Sequence, residues 1–285
     1  MENLKSYGAG GKKPKGPKPN SNVGTAKDSV LTKLDEEFPK DSPSGTKIYR
    51  KSWLAVLREV INQGNRDICW TISSSECLSA RLRILKKIEA PISALHLLVA
   101  LTDRVDSSGA LVDFRHLQKF LKEYGAIKEE KCNCTQPLFG SMKGKAKPKM
   151  PTLCTEKRKP KRTYKVKDLI ILEKVDENQL ISLVNEDPVA VSLDLYEEFE
   201  NFEGDGIYKG PKKSNKKVAK HMVLCYGYGT VNGVHYWEVQ NSAGTSWGNG
   251  GFGKVIRQVS REKGEPSLFT LIVYPELLEH YEDEE

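Results

Sequence analysis

Apolar and polar residues recur with two different periods along the chain, and the change of period divides it into two parts. Between residues 54 and 124 apolar side chains return every three or four positions, which is typical of amphipathic helices. Between residues 169 and 274 short apolar runs rich in β-branched and aromatic residues are separated by turn residues, which predicts strands. Helices first and strands later indicate an α+β protein with two segregated parts.

The same periods predict the individual elements. Helices are expected over residues 70–87, 91–103, 114–124 and 177–184. Strands are expected over residues 189–193, 221–226, 235–240, 251–257 and 268–274. The apolar face of the first helix is expected to hold Ile72, Leu78, Leu82 and Leu85. Its solvent face is expected to hold Arg81, Arg83, Lys86 and Lys87.

Charge is distributed unevenly along the 285 residues. Residues 1–27 carry a net charge of +5 and residues 143–167 carry +10, whereas the whole chain carries +7, so the other residues sum to −8. We expect residues 1–45, rich in Gly, Pro and Lys, to form a basic disordered tail. The rest is predicted to be one domain, 46–275, followed by an acidic tail, 276–285. That domain would comprise a helical lobe over about 50–130, a basic loop over about 140–167 and a β lobe over about 168–275.

The basic loop has two interpretations. Its lysine and arginine runs are similar to nuclear-import signals, so a weak contact with nucleic acid or an importin through residues 143–167 is one hypothesis. A solvated loop between two lobes explains the charge equally well, and aromatic residues that could stack on bases are nearly absent there. Apolar runs are too short to span a membrane, and the N-terminus lacks the apolar core of a secretory signal. We therefore expect a cytoplasmic or nuclear monomer.

The six cysteines are the first candidates for chemistry. Cys132, Cys134 and Cys154 lack a fourth ligand at zinc-site spacing, so neither a metal nor another cofactor is expected. Cys69 stands at the predicted start of the first helix, where unpaired N–H groups and the helix dipole favour a thiolate. Taken alone, such a cysteine is more commonly a small buried hydrophobic residue.

His221 and Asn241 flank a predicted hairpin. His221 opens one strand, Asn241 follows the next, and Asn232-Gly233 between them predicts a tight turn. The side-chain carbonyl of Asn241 could then accept from one ring nitrogen of His221 and leave the other facing Cys69. The remaining histidines have no such context and are interpreted as non-catalytic: His96, His116, His235 and His280.

These motifs resemble those of the papain-like cysteine peptidases, the papain and cathepsin type. Gln63 and Gly64 precede Cys69, and Trp70 follows it at once. Further on come His221 at the head of a strand ending in Gly-Tyr-Gly, Asn241-Ser242, and Trp247-Gly248. The resemblance covers roughly residues 50–275.

The resemblance implies a two-lobed papain-like fold, with a helical N-terminal lobe and an antiparallel, β-barrel-like C-terminal lobe. The active site would lie in the cleft between them. Cys69 would be the nucleophile and His221 the base, with Asn241 orienting His221 and Gln63 donating to the oxyanion hole. A peptide or protein substrate would contact cleft residues Gly64, Trp70, Leu111, Val112 and Trp247.

Four departures from the family pattern are evident. Arg66 and Gly109 replace the cysteines of a family disulfide, which agrees with a reducing compartment. Leu111 and Val112 replace a Gly-Gly pair, and we expect their side chains to crowd a bound peptide. Ala243 replaces a Trp that shields the His–Asn hydrogen bond from water. We also expect no inhibitory pro-segment of the usual length before the domain.

Two functional hypotheses follow. The leading hypothesis is a cysteine peptidase that hydrolyses peptide bonds through Cys69, His221 and Asn241. The alternative is a catalytically impaired papain-fold protein that binds a partner through its cleft or its basic loop. The expected address is atypical for the family, whose members are mostly lysosomal, vacuolar or secreted.

Overall fold

The computed structural model describes residues 50–132, 162–212 and 215–281. The predicted basic tail, residues 143–161 of the basic loop, Cys134, Cys154 and the last four residues of the acidic tail lie outside the described residues. In the part that is described, none of the helices combines the length and apolar character that crossing a membrane requires.

Five α-helices and eight strands form within the described ranges. The helices are α1 (Cys69–Lys86), α2 (Ala94–Ala100), α3 (Phe114–Glu123), α4 (Glu177–Glu186) and α5 (Glu197–Glu200). The strands are β1 (Arg50–Ser52), β2 (Val166–Leu172), β3 (Val189–Leu195), β4 (Ile207–Tyr208), β5 (Ala219–Val231), β6 (Val234–Gln240), β7 (Phe252–Ile256) and β8 (Phe269–Leu277). The α+β architecture predicted from the periodicity is confirmed.

The strands form one sheet in the order β2-β8-β3-β5-β6-β7-β4, with β1 paired to the distal half of β5. Neighbouring strands are antiparallel except β4 and β7, which are parallel. The β5–β6 hairpin closes through Asn232 and Gly233, both with positive φ, as the turn signal predicted. The start of β5 and the end of β6 therefore meet at one edge of the hairpin.

Alternate residues of the central strands serve two hydrophobic clusters. On β5, Met222 and Leu224 join the cluster that contains the helices of the N-terminal lobe, while Val223 and Cys225 join the cluster beneath α4 and α5. This alternation follows from the two-residue period of a strand. One sheet face is thereby bound to the helical lobe, and α1 is the helix that lies against it.

The predicted amphipathic pattern of α1 is wrong at two positions. Arg81, expected in solvent, is buried and pairs with Asp187 at 2.7 Å, whereas Leu85, expected in the core, is 44% exposed. The buried serines of α1 donate to carbonyls of their own helix, as Ser75 does to Ile72 and Ser79 does to Ser75. A helix enclosed on several sides can bury polar side chains when local acceptors satisfy them.

Candidate active site

Cys69 is the first residue of α1. Side chains cap the three other helices of seven or more residues, with Ser93 before α2, Asp113 before α3 and Asp176 before α4. Among the described residues no side chain caps α1 at Ile68. The amides of Cys69 and Trp70 instead interact with the Cys69 sulfur and favour its thiolate form, the effect expected at a helix N-terminus.

Burial opposes those donors. Cys69 is completely buried, and burial raises the pKa of its thiol to about 12 despite the backbone N–H groups that favour the thiolate. The helix-terminus effect therefore acts in the predicted direction but is the smaller of the two. Burial therefore favours the neutral thiol over the thiolate.

His221 lies at the start of β5 and is held by Asn241 at the end of β6. Its Nε2 and Asn241 Oδ1 are 2.6 Å apart, and Asn241 Oδ1 also accepts from the backbone N–H of Ser242 at 2.7 Å. An amide oxygen can only accept, so Nε2 carries the hydrogen and Nδ1 is left as an acceptor. Nδ1 is buried and has no hydrogen-bond partner among the described residues.

The sulfur of Cys69 contacts the backbone of the residue that follows His221. Cys69 Sγ accepts a hydrogen bond from the backbone N–H of Met222, the residue directly after His221, at 3.4 Å. Burial lowers the pKa of the His221 imidazole to about 4, and the hydrogen bond that His221 donates to Asn241 opposes this effect. The hairpin thus brings Asn241 and His221 together, as predicted, and α1 delivers Cys69 to the same place.

Gln63 is oriented by the same β6 terminus. Its backbone N–H donates to the Ser242 carbonyl at 2.8 Å, and its side-chain Oε1 accepts from Ser242 Oγ at 2.5 Å. The Nε2 group donates to the carbonyl of Arg66 at 2.7 Å. A side-chain amide has two N–H donors, so this bond leaves one for a ligand. Ser242 follows Asn241 in the sequence motif, where no role was predicted for it. The structure shows that it orients the side chain of Gln63.

Comparison with known proteins agrees with this geometry. Residues 48–270 match the family described as papain family cysteine protease. The chain belongs to the papain family of cysteine proteases. A KDEL-tailed cysteine endopeptidase of Arabidopsis thaliana is 25% identical over 221 residues, which cover 77% of this chain and 56% of that protein. A cysteine proteinase of Brassica napus is 27% identical over 77% of this chain and 62% of its own length. The chain therefore spans about three fifths of these relatives.

Solved structures show the papain-like fold. The bromelain protease from Ananas comosus, in complex with the E64 inhibitor, aligns with a TM-score of 0.61 at 21% identity, covering 80% of this chain and 99% of that one. A procathepsin B from Trypanosoma congolense aligns with a TM-score of 0.64 at 20% identity, covering 86% and 85%. The predicted two-lobed papain-like fold is thus confirmed.

Hydrogen bonds join the loops where the family disulfide is missing. The N–H of Asp67 donates to the carbonyl of Ser108 at 2.9 Å, and Trp70 Nε1 donates to the carbonyl of Gly109 at 2.9 Å. Gly109 has a φ of 97°, which glycine adopts without strain. The segment before α3 is therefore fixed to the start of α1 without a covalent bond.

The five predicted cleft residues fall into two groups. Leu111, Trp70 and Trp247 are buried in hydrophobic clusters, and Trp247 Nε1 donates to the carbonyl of Phe199 at 2.6 Å. Gly64 is partly exposed, and Val112 is 56% exposed. The structure therefore places Leu111 in the core of the helical lobe and not on a wall that could crowd a peptide.

The Val112 backbone is also engaged. Its N–H donates to the carbonyl of Arg104 at 3.2 Å, so this donor is already used within the helical lobe. A peptide lying along this segment would have to bond elsewhere or displace that contact.

Solvent does not reach the His–Asn bond at Ala243. His221 and Asn241 are both buried, and the ring centroids of His221 and Phe199 are 6.1 Å apart. Phe199 packs in turn against Trp247, with centroids 5.0 Å apart. The exposure expected from the loss of the Trp is therefore absent in the described structure. No sequence pattern singled out Phe199, which lies on the four-residue helix α5.

Proposed function

We propose that the protein is a cysteine-type peptidase that cleaves peptide bonds through Cys69, His221 and Asn241. The observation that carries the proposal is the arrangement of His221. Asn241 holds one ring nitrogen, the other is a buried acceptor without a described partner, and the sulfur of Cys69 lies against the next backbone amide. This is the tautomer and orientation that a general base for a thiol requires.

The reaction follows from these positions. His221 Nδ1 accepts the Cys69 proton as Sγ attacks the substrate carbonyl carbon, and the carbonyl electron pair moves to oxygen. The oxyanion accepts from the free N–H of Gln63 and from the Cys69 amide. As the C–N bond breaks, His221 donates its proton to the leaving amine. Water, deprotonated by His221, then hydrolyses the thioester and restores the thiol.

Proton transfer within the pair resolves the unfavourable pKa values. Burial disfavours a lone thiolate and a lone imidazolium, but each charge stabilises the other once the proton has moved. The short, buried bond to Asn241 keeps the imidazolium oriented while it carries the charge.

A thiol-reactive peptidyl epoxide tests the proposal. Intact protein should be labelled once, at Cys69 in peptide mapping, and lose all hydrolysis of a peptide library. Cys69→Ala should neither label nor hydrolyse, while Cys77→Ala should behave as wild type because Cys77 is a buried α1 residue outside the site. Folded wild-type protein that stays unlabelled and inactive refutes the proposal.

Three observations favour the alternative of a catalytically impaired binding protein. Cys69 is fully buried and His221 is 1% exposed, and the Val112 N–H is already engaged. Under this alternative the folded protein would hold a peptide ligand in the cleft without cleaving it. Equal peptide affinity of wild type and Cys69→Ala, with no product in either, would establish it.

A further inference from the structure

The segment from Arg58 to Gln63 runs between the lobes beside the end of β6. Gln63 N–H donates to the Ser242 carbonyl, and Gly244 N–H donates to the Ile61 carbonyl at 3.2 Å. Asn62 and Ala243 form an isolated β-bridge. One end of the segment carries the oxyanion donor, and its side contacts the residues that follow Asn241.

Arg58 anchors the other end of this segment to the helical lobe. Its guanidinium lies 2.5 Å from Glu76 Oε1 on α1 and 3.0 Å from Glu129 Oε2, and it donates to the Ile92 carbonyl at 3.1 Å. Three separate parts of the helical lobe thus converge on one planar side chain, a geometry that suits arginine.

The backbone of Arg58 reaches the other lobe. Its carbonyl accepts from Gln240 Nε2 at 2.9 Å, and Gln240 immediately precedes Asn241. Glu76 lies two turns along α1 from Cys69. A continuous set of contacts therefore runs from the nucleophile helix through Glu76, Arg58 and Gln240 to Asn241.

Burying the carboxylate of Glu76 costs free energy, so we expect the Arg58–Glu76 pair to have a structural role. Glu76 is 4% exposed, and breaking such a pair leaves an uncompensated charge in the interior. Two apolar side chains of similar volume would pack as well, but they would not fix direction. The Arg58 side chain is held by three parts of the helical lobe, and Gln240 binds the backbone carbonyl of the same residue.

We propose that Arg58, Glu76 and Gln240 are positioning residues that set the distance between the α1 nucleophile and the Asn241-held imidazole. The inference rests on the proposed peptidase function for its kinetic effect, and on the structure alone for its mechanical effect. Misplacement of reacting groups by about 1 Å costs on the order of 10² in rate.

Three variants test the proposal: Arg58→Met, Gln240→Met and the control Arg81→Met. The control breaks another buried pair of α1, Arg81–Asp187, which does not adjoin Asn241. The first two should lower kcat by about 10- to 100-fold with little change in KM. They should also speed hydrogen exchange at the amides of Asn241 and Ser242 by at least about tenfold, after correction for global stability. The control should do neither.

Further variants separate positioning from folding. Arg58→Lys keeps the positive charge beside Glu76 but lacks the several N–H donors of the guanidinium. Its kcat should therefore lie between those of Arg58→Met and wild type. The double variant Arg58→Met/Glu76→Met removes both charges and should fold, yet it should keep the fast exchange at Asn241. Full recovery in the double variant, or the same exchange pattern in the Arg81→Met control, overturns the proposal. If wild type is inactive, the peptidase proposal fails. The positioning proposal is then decided by hydrogen exchange at Asn241 and Ser242 alone.

Discussion

At the scale of single residues, burial sets the protonation of the site more strongly than local charge does. Burial disfavours the charged form of both Cys69 and His221, because it raises the pKa of the thiol and lowers the pKa of the imidazole. His96, packed against the Phe120 ring at 5.6 Å, shows the same effect without any catalytic context. A lowered histidine pKa is therefore a mark of burial here, and the bond to Asn241 distinguishes His221, the candidate base, from His96.

This burial predicts a pH-dependent stability. The pKa values of His221 and His96 are lowered to about 4 in the fold, so the unfolded chain binds their protons more readily. Their contribution is fully present above pH 6.5 and is lost as the pH falls towards 4, by up to about 3 kcal/mol for each residue. Urea unfolding of wild type, His96→Leu and His221→Gln between pH 4 and 7 measures it.

Each variant should show a smaller loss of unfolding free energy over that range than wild type. The comparison with wild type matters because burial raises the pKa of Asp187 to about 7, which gives the opposite slope in the same range. Parallel pH curves for wild type and both variants would contradict the prediction.

Gln63 offers a second test at this scale. Gln63→Ala removes one oxyanion donor and should lower kcat by about 10²–10³ while changing KM little. Ser242→Ala should have a smaller effect, because Ser242 only orients the amide through its 2.5 Å bond to Oε1. Gln118→Ala, which removes a bond from α3 to β2, is the matched control and should leave kcat unchanged. An unchanged kcat in Gln63→Ala would remove Gln63 from the reaction.

At the scale of elements, the sequence predicted what depends on neighbours in the chain. The Asn232-Gly233 turn and the start of α1 at Cys69 are local features, and both formed close to where they were expected. The burial of Arg81 depends on Asp187, 106 residues away, so no helical period could indicate it. β1 is likewise a three-residue strand that exists only because β5 offers an edge.

β1 supplies a prediction at this scale. A Cβ at Gly227 would overlap the carbonyl oxygen of Lys51 on β1, so Gly227→Ala should detach β1 and cost more than about 2 kcal/mol. Gly233→Ala is the control, because its φ of 76° brings strain but nothing lies near its Cβ. That variant should cost about 1 kcal/mol. Chemical denaturation with hydrogen exchange at residues 51 and 52 distinguishes them, and equal exchange would exclude detachment.

At the scale of the whole molecule, the candidate site exists only where the lobes meet. Cys69 and Gln63 come from the N-terminal lobe, whereas His221 and Asn241 come from the β5–β6 hairpin. The resemblance identified these four residues, and the hairpin explained the last two. The contacts of Arg58 depend on packing across the lobes, and the burial of Leu111 depends on packing within the helical lobe. The sequence pattern encodes neither.

The two lobes should unfold as one unit, because α1 of the helical lobe packs directly on strands β3, β5 and β8 of the sheet. Cys77 on α1 donates to the Pro188 carbonyl at 3.4 Å, and the buried Arg81–Asp187 pair joins the same helix to the start of β3. Cys77 and Cys225 report on different hydrophobic clusters. Pulse labelling of both thiols across a urea series should give one shared midpoint, since α1 packs on the sheet whose strands line both clusters.

Arg81→Met should lower the urea midpoints of both thiols together, because Asp187 is left buried and unpaired. The free energy of unfolding should fall by about 3–5 kcal/mol. Arg83→Met on the same helix should change stability by less than about 1 kcal/mol, because Arg83 pairs with an exposed Glu89. If Cys77 became labelled at lower urea than Cys225, α1 would be separable from the sheet. The α1 helix could then move away from the sheet while the rest of the protein stayed folded. In that case the contacts of Arg58 could not fix the distance between Cys69 and His221.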